Sequence, residues 1–90
     1  MFMEKELRCK ASTDANKLAY SIFSAYQDNS ETAIRIRVVG AGALNQAMKG
    51  VIISNKYLIK KGVIADVRPS FFDTPEGVTA IDLKIIFVKV

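Results

Sequence analysis

The residues with the strongest claim to chemistry are Gly40-Ala41-Gly42. They fall between a stretch with alternating apolar residues and one with apolar residues at helical spacing. Glycines allow a tight turn whose backbone N–H groups face outward, and a helix N-terminus follows at once. Together these features bind anions such as phosphate, carboxylate or sulfate. A strand-to-helix turn also needs glycine simply to reach its backbone angles, so the turn is read both ways. It is not a dinucleotide fingerprint, because no third glycine follows at the required spacing.

Two further groups carry charge. Lys10 ends the first alternating stretch, and Asn45, Gln46 and Lys49 follow the glycine turn. Lys10 and the turn are expected at the C-terminal ends of neighbouring parallel strands, where ligands often bind. A plain solvated lysine is the alternative for Lys10. The other group is a basic sheet face made of Arg35, Arg37 and Lys84, with Arg68 near it. RNA-binding sheets usually add aromatics for base stacking, and Phe71 and Phe72 lie close to Arg68 in sequence. The same face also reads as an ordinary exposed one, paired with Asp66 and Asp82.

Other chemistry is scarce. The chain has no histidine, which removes the commonest general base and the commonest zinc ligand. Its one cysteine, Cys9, excludes an internal disulfide and a cysteine-cluster metal site. The expectation is a protein that is not an enzyme and needs no metal or cofactor. Cys9 alternates with Leu7 and Ala11 on an apolar face, which makes it a core residue; nothing on that face would lower its pKa.

The elements that position these groups follow from periodicity. Residues 4–11 alternate and read as a strand. Ser12-Thr13-Asp14 offers helix caps. Ala15, Leu18, Ala19, Ile22, Phe23 and Tyr26 then recur at helical spacing, and Gln27-Asp28-Asn29-Ser30 ends that helix. From Thr32, Ile34, Ile36 and Val38 alternate with Arg35 and Arg37, a strand buried on one face. A second helix is expected after Gly42, with Leu44, Ala47, Met48, Val51, Ile52 and Leu58 or Ile59 on one stripe. A second stripe, Ala43, Ala47, Gly50 and Ser54, is all small and implies close approach of another backbone. Asn55-Lys56-Tyr57 reads as a break, followed by a short helical turn ending at Gly62. Residues 63–72 form a strand interrupted by Pro69, hence an edge or a bulge. Asp73-Thr74-Pro75-Glu76-Gly77 is a turn. Residues 78–89 form a last strand, apolar on both faces near its end and so expected in mid-sheet. The order β-α-β-α-β-β makes an α/β two-layer sandwich, with a mixed four-stranded sheet and two helices on one face.

Gly40-Ala41-Gly42-Ala43-Leu44-Asn45-Gln46-Ala47, followed by Met48-Lys49, resembles the signature of the stage V sporulation protein S family, small bacterial proteins with an Alba-like fold. The resemblance implies that the last strand lies between the second and third. It also implies a homodimer and a regulatory or nucleic-acid-associated role, since Alba proteins bind DNA or RNA as dimers. Lys10 resembles a lysine that ends the family's first strand. The equivalent turn of Alba proteins is rich in arginine, whereas here it is Gly-Ala-Gly, so nucleic-acid binding carries over only as a property of the fold.

Length and charge set the remaining bounds. Ninety residues make a single domain, 1–90. Net charge is +4, with four basic and five acidic side chains in residues 1–34 and nine basic and four acidic in 35–90. Such a bias permits an anionic partner without requiring one. No apolar run is long enough for a membrane span. Met-Phe-Met-Glu-Lys-Glu has no apolar signal region, so a cytoplasmic location without membrane association is expected. Ile53, Tyr57, Phe71, Phe72 and Ile86 exceed what two helices can cover, a further reason to expect a homodimer. The rival readings are an interaction or structural dimer without nucleic acid, and a small-anion binder at Gly40–Gly42.

Overall fold

The computed structural model describes residues 3–90; Met1 and Phe2, part of the stretch read for a signal region, lie outside them. The order is β1 (Met3–Arg8), α1 (Ala15–Asp28), β2 (Thr32–Val38), α2 (Ala41–Leu58), a 3₁₀ turn (Ile59–Lys61), β3 (Val63–Asp73) and β4 (Thr79–Lys89). The sheet runs β1-β2-β4-β3. β1 and β2 are parallel, and β4 is antiparallel to both of its neighbours. The β-α-β-α-β-β order, the mixed sheet and the last strand between the second and third are as expected. Both helices cover one face, so β4 is shielded by strands on either side and by helices below.

The core is the seam between helices and sheet. Ile34, Ile36 and Val38 of β2 meet Leu83 and Ile85 of β4, and Leu18 and Ile22 of α1 join them with Val51 and Leu58 of α2. α1 starts as its sequence dictates: Asp14 accepts hydrogen bonds from the N–H groups of Asn16 (2.8 Å) and Lys17 (3.3 Å). These satisfy backbone donors that a helix start leaves open.

Several boundaries differ from the periodicity reading. β1 ends at Arg8 rather than at residue 11. Past it the chain curls: Thr13 N donates to Lys10 O (3.0 Å), and Lys10 N donates to the Thr13 hydroxyl (2.7 Å). That turn satisfies groups a longer strand would have paired. α2 begins at Ala41, two residues earlier than a helix starting after Gly42, because Leu44 N already donates to Gly40 O at 3.2 Å.

The buried face of α2 takes in only part of the stripe its larger apolar residues indicated, Leu44 packing against the core beside it. Ala43, Ala47, Gly50, Val51, Ser54 and Leu58 are buried, whereas Met48, Ile52 and Ile59 are exposed. The small stripe wins because it lets α1 approach. A Cβ placed on Gly50 would sit 2.7 Å from Leu18 Cδ2, so Leu18 occupies the space that a side chain there would need. No break occurs at Asn55-Lys56-Tyr57, where the helix continues to Leu58. Asn55, a turn former by type, spends its side chain elsewhere: its Oδ1 accepts from Ala65 N at 2.8 Å.

That bond also explains the edge strand. β3 lies at the end of the sheet, and Ala65 turns its N–H away from β4. Pro69, four residues on, has the same parity and no N–H to leave unpaired. Its pairing with Leu83 stays in register, so Pro69 marks an edge and no bulge.

Candidate functional site

The glycine turn is built by packing as well as by backbone angles. Gly40 adopts φ +91°, a conformation that L side chains rarely reach. Gly42 is required for a different reason. A Cβ there would meet Ala11 Cβ at 2.9 Å, so the turn after β1 rests directly on the start of α2. Gln46 strengthens the same junction, its Nε2 donating to Thr13 O at 2.8 Å. Ala43 completes it with a carbonyl 3.5 Å from Cys9 Sγ. Burial pushes the Cys9 thiol above its ordinary pKa, and the Thr13 hydroxyl offsets this only in part. Ala41, Asn45 and Lys49 remain exposed on the first turns of α2.

Lys10 parts company with that group. It lines a cleft of about 560 Å³ over the rim of the sheet, together with Arg8, Arg37, Val39, Phe72 and the hairpin between β3 and β4. Gly40, Ala41 and Gly42 do not line it. The sequence-read candidates therefore divide into two places. Gly40, Ala41, Gly42, Asn45, Gln46 and Lys49 surround the start of α2, while Lys10 joins Arg37 of the basic sheet face.

That sheet face is a cross-strand lattice. Register aligns Glu6, Arg35, Lys84 and Arg68 in one row, and Arg8, Arg37, Asp82 and Ser70 in the next. Cations directly opposite one another repel, and carboxylates relieve part of that. Arg35 Nε lies 3.0 Å from Asp82 Oδ2, and its Nη1 lies 3.6 Å from Glu4. Arg37 Nη1 lies 3.0 Å from Glu6, and its Nε 3.9 Å from Asp82 Oδ1. Asp82 is buried and serves both arginines, although neither Arg35 Nε nor Asp82 Oδ1 makes a hydrogen bond of good geometry. Asp82 is thus one of the two partners that the sequence reading named, while Asp66 takes no part in an ion pair among the described residues. Lys84, Arg68, Arg8 and Lys10 have no carboxylate within 4.0 Å among the described residues.

Phe72 lies under Arg37, whose guanidinium carbon is 4.7 Å from the ring centroid. Phe71, on the opposite side of the strand, is exposed. The sequence reading passed over Arg8 and Val39. Their signal was parity: Arg8 alternates with Glu6, and Val39 continues the Arg35–Arg37 side past the end of β2. Among the described residues, no group of three or more His, Cys, Asp or Glu could hold a metal ion, and no helix is long and apolar enough to cross a membrane.

The model of the family described as stage V sporulation protein S matches residues 5–88. The chain belongs to the stage V sporulation protein S family. The match runs from within β1 to within β4, so the Gly40–Lys49 signature and the rim of the sheet both lie within it. Membership makes this a small sporulation-related protein, from a family not known for enzymes.

Proposed function

We propose that this stage V sporulation protein S family member acts without catalysis, as a homodimer that associates with nucleic acid in a regulatory role. The observation that carries the nucleic-acid reading is the pair of cations Arg8 and Lys10, without a carboxylate partner among the described residues, beside Arg37 on the rim of the sheet. Contacts made by such side chains go to phosphates and are not sequence-specific. Association with DNA or RNA should then weaken steeply as salt rises.

Support for the dimer lies on the flank of α2 and β3. Met48 and Ile52 share one exposed stripe of α2, Ile59 is exposed in the 3₁₀ turn after it, and Phe71 stands out from the helix side of β3 beside Pro69. The surplus counted in the sequence is borne out only in part: Phe71 and Tyr57 are exposed, Tyr57 with its ring 5.6 Å from Phe23, whereas Phe72 carries the Arg37 guanidinium and, like Ile53 and Ile86, is half-buried. Light scattering at high micromolar concentration should give twice the chain mass, and Ile52→Glu should return it to monomer. A wild-type monomer mass would remove the dimer from the reading.

Labelled single- and double-stranded DNA and RNA, titrated at two salt concentrations, test the nucleic-acid part. Lys10→Ala should weaken binding similarly across sequences and lower the salt slope by about one counterion. Arg37→Ala, whose charge is already engaged by Glu6, should do less. If Arg37→Ala abolishes binding while Lys10→Ala is silent, the contact surface is the open sheet around Arg35, Arg68 and Lys84. Lys49→Ala reports on the start of α2 in the same way.

The ion pairs on the sheet face favour a second reading, a dimer that works through protein contacts alone. Glu4, Glu6 and Asp82 neutralise much of the basic face. Absence of binding to any nucleic acid at low salt would select it. The glycine turn as an anion site is the least supported, because Gly42 is accounted for by Ala11 and Gly40 by its backbone angle. A rise in melting temperature with a phosphate-bearing metabolite would revive that reading.

A further inference from the structure

The cleft at the rim has two chemically distinct sides. Arg8 and Lys10 stand on the β1 side. Across it are Phe72 of β3 and Pro75 of the hairpin, with Val39 at the end of β2 between them and the cations. The register explains the hollow between them. Phe72 pairs with Ala80, and Val38 pairs with Ile81, so Val39 falls beside Ala80 just past the end of the β2 ladder. Ala80 is small and buried, so no large side chain stands between Val39 and Phe72 in that row. Val39 lines the cleft and is 56% exposed although it is apolar.

The aromatic wall is held in advance. Arg37 covers Phe72 at 4.7 Å and is itself fixed by Glu6 at 3.0 Å. A ring already ordered loses little freedom when something packs on it. Two carboxylates line the cleft as well. The charge of Glu6 is engaged by Arg37, and Glu76 sits on the hairpin side, where it disfavours a phosphate and leaves the β1 side for one. The volume, about 560 Å³, falls within the range of roughly 300–1,000 Å³ typical of sites for small organic groups.

We propose that this cleft takes a nucleotide of a single strand, with the base against Phe72 and Val39 and the phosphate against Arg8 and Lys10. The inference rests on the nucleic-acid reading above and adds the class of nucleic acid. A nucleotide has what the cleft asks for: a flat apolar face at one end and an anion at the other, joined by a short linker. A duplex offers only the anion, because its base faces are stacked and reach a pocket only by flipping out. With the rim's cations partly balanced by carboxylates, stacking, not charge, has to make the difference.

The test uses the full chain, a short homopyrimidine single strand, the same sequence as a duplex, and a free mononucleotide as competitor, followed by fluorescence anisotropy at low salt. The single strand should bind roughly fivefold or more tightly than the duplex. Phe72→Leu should remove that preference and leave duplex affinity and the salt slope unchanged. Val39→Glu changes an exposed residue outside the core, and should weaken the single strand in a protein whose melting temperature matches wild type. Equal affinity for both forms, with both variants silent, overturns the cleft assignment and leaves backbone-directed binding standing. A mononucleotide that displaces the strand at comparable concentration overturns the strand in favour of a free-nucleotide site. Absence of binding to either form at low salt overturns the nucleic-acid reading, and this inference with it.

Discussion

Against the helices, the sheet presents Ile34, Ile36, Val38, Leu83 and Ile85, all but excluded from solvent. On the opposite face the same strands present Arg35, Arg37, Asp82 and Lys84, with Glu4 and Glu6 beside them on β1. The inner face is held by shape, and a packed interior tolerates neither voids nor extra atoms. The outer face is held by charges that share partners: Asp82 serves two arginines, and Arg37 touches Glu6, Asp82 and Phe72 at once. Such contacts exchange at modest cost in water. The difference teaches where a ligand can enter. The inner face has no room to give, whereas the outer face and its rim already contain cations without partners.

The contrast can be broken from the inner side first. Ile85→Ala removes a fully buried side chain at the centre of the sheet, and should cost about 2–5 kcal/mol in chemical denaturation. A loss below about 1 kcal/mol would mean that the core closes around the gap, contrary to a face held by shape. Gly50→Leu tests the same packing from the opposite direction. Its new atoms must displace Leu18, and overpacking of this kind typically costs about 1–3 kcal/mol. An unchanged melting temperature would show that α1 can move aside.

On the outer face Asp82 is the exception, because it is buried while its neighbours are wet. Asp82→Ala should cost about 1–3 kcal/mol by leaving the buried Arg35 Nε without its counter-charge. Glu6→Ala, by contrast, breaks an exposed pair with Arg37 and should cost no more than about 1 kcal/mol. If the two losses were equal, burial would not be what separates Asp82 from the rest of the lattice.

Cys9 sharpens the comparison at its smallest scale. Its pKa is raised in the folded chain, so the folded state keeps the thiol proton that the unfolded state gives up. The sign is therefore negative. The contribution is fully present below the ordinary thiol value of 9.0 and is lost as pH rises from there through the folded pKa. Cys9→Ser should flatten that alkaline decline, and thiol labelling of wild type at pH 8 should follow unfolding rather than outpace it. Rapid labelling of the folded chain would place the thiol outside the core.

Element order was legible because it depends on local pattern. Alternation marked β2 and β4, and the i, i+3, i+4 spacing marked α1; of the three candidate caps Ser12, Thr13 and Asp14, the fold uses Asp14. The face of α2 was legible only in part: the close approach at the small stripe was expected, but the large apolar residues form a rival stripe. Hydrophobicity favoured Met48 and Ile52, and only the proximity of Leu18 to Gly50 decided for the small stripe. Asn55 misled for a related reason. A turn-forming side chain within a helix pattern signals a break until a partner such as Ala65 N is in reach, and that partner lies ten residues on.

The site divides along the same line. By itself the sequence determined the strand–turn–helix around Gly40–Gly42, because positive φ and a helix start are properties of neighbouring residues. Its Gly40–Lys49 signature also pointed to the family. It determined as well which side of each strand carries charge, because side chains alternate with period two. Only the tertiary structure decided that Lys10 faces the rim cleft and not the glycine turn, that Asp82 and not Asp66 serves the arginines, and that Phe72 stands across a hollow from Arg8. Those are relations between strands far apart in the chain. They depend on register, and in this sheet β4 is inserted between β2 and β3 so that residues 37, 72 and 82 meet. A one-residue slip in that register would turn the charged face into the core, and burial of Ile34, Ile36, Leu83 and Ile85 is the free energy that forbids it.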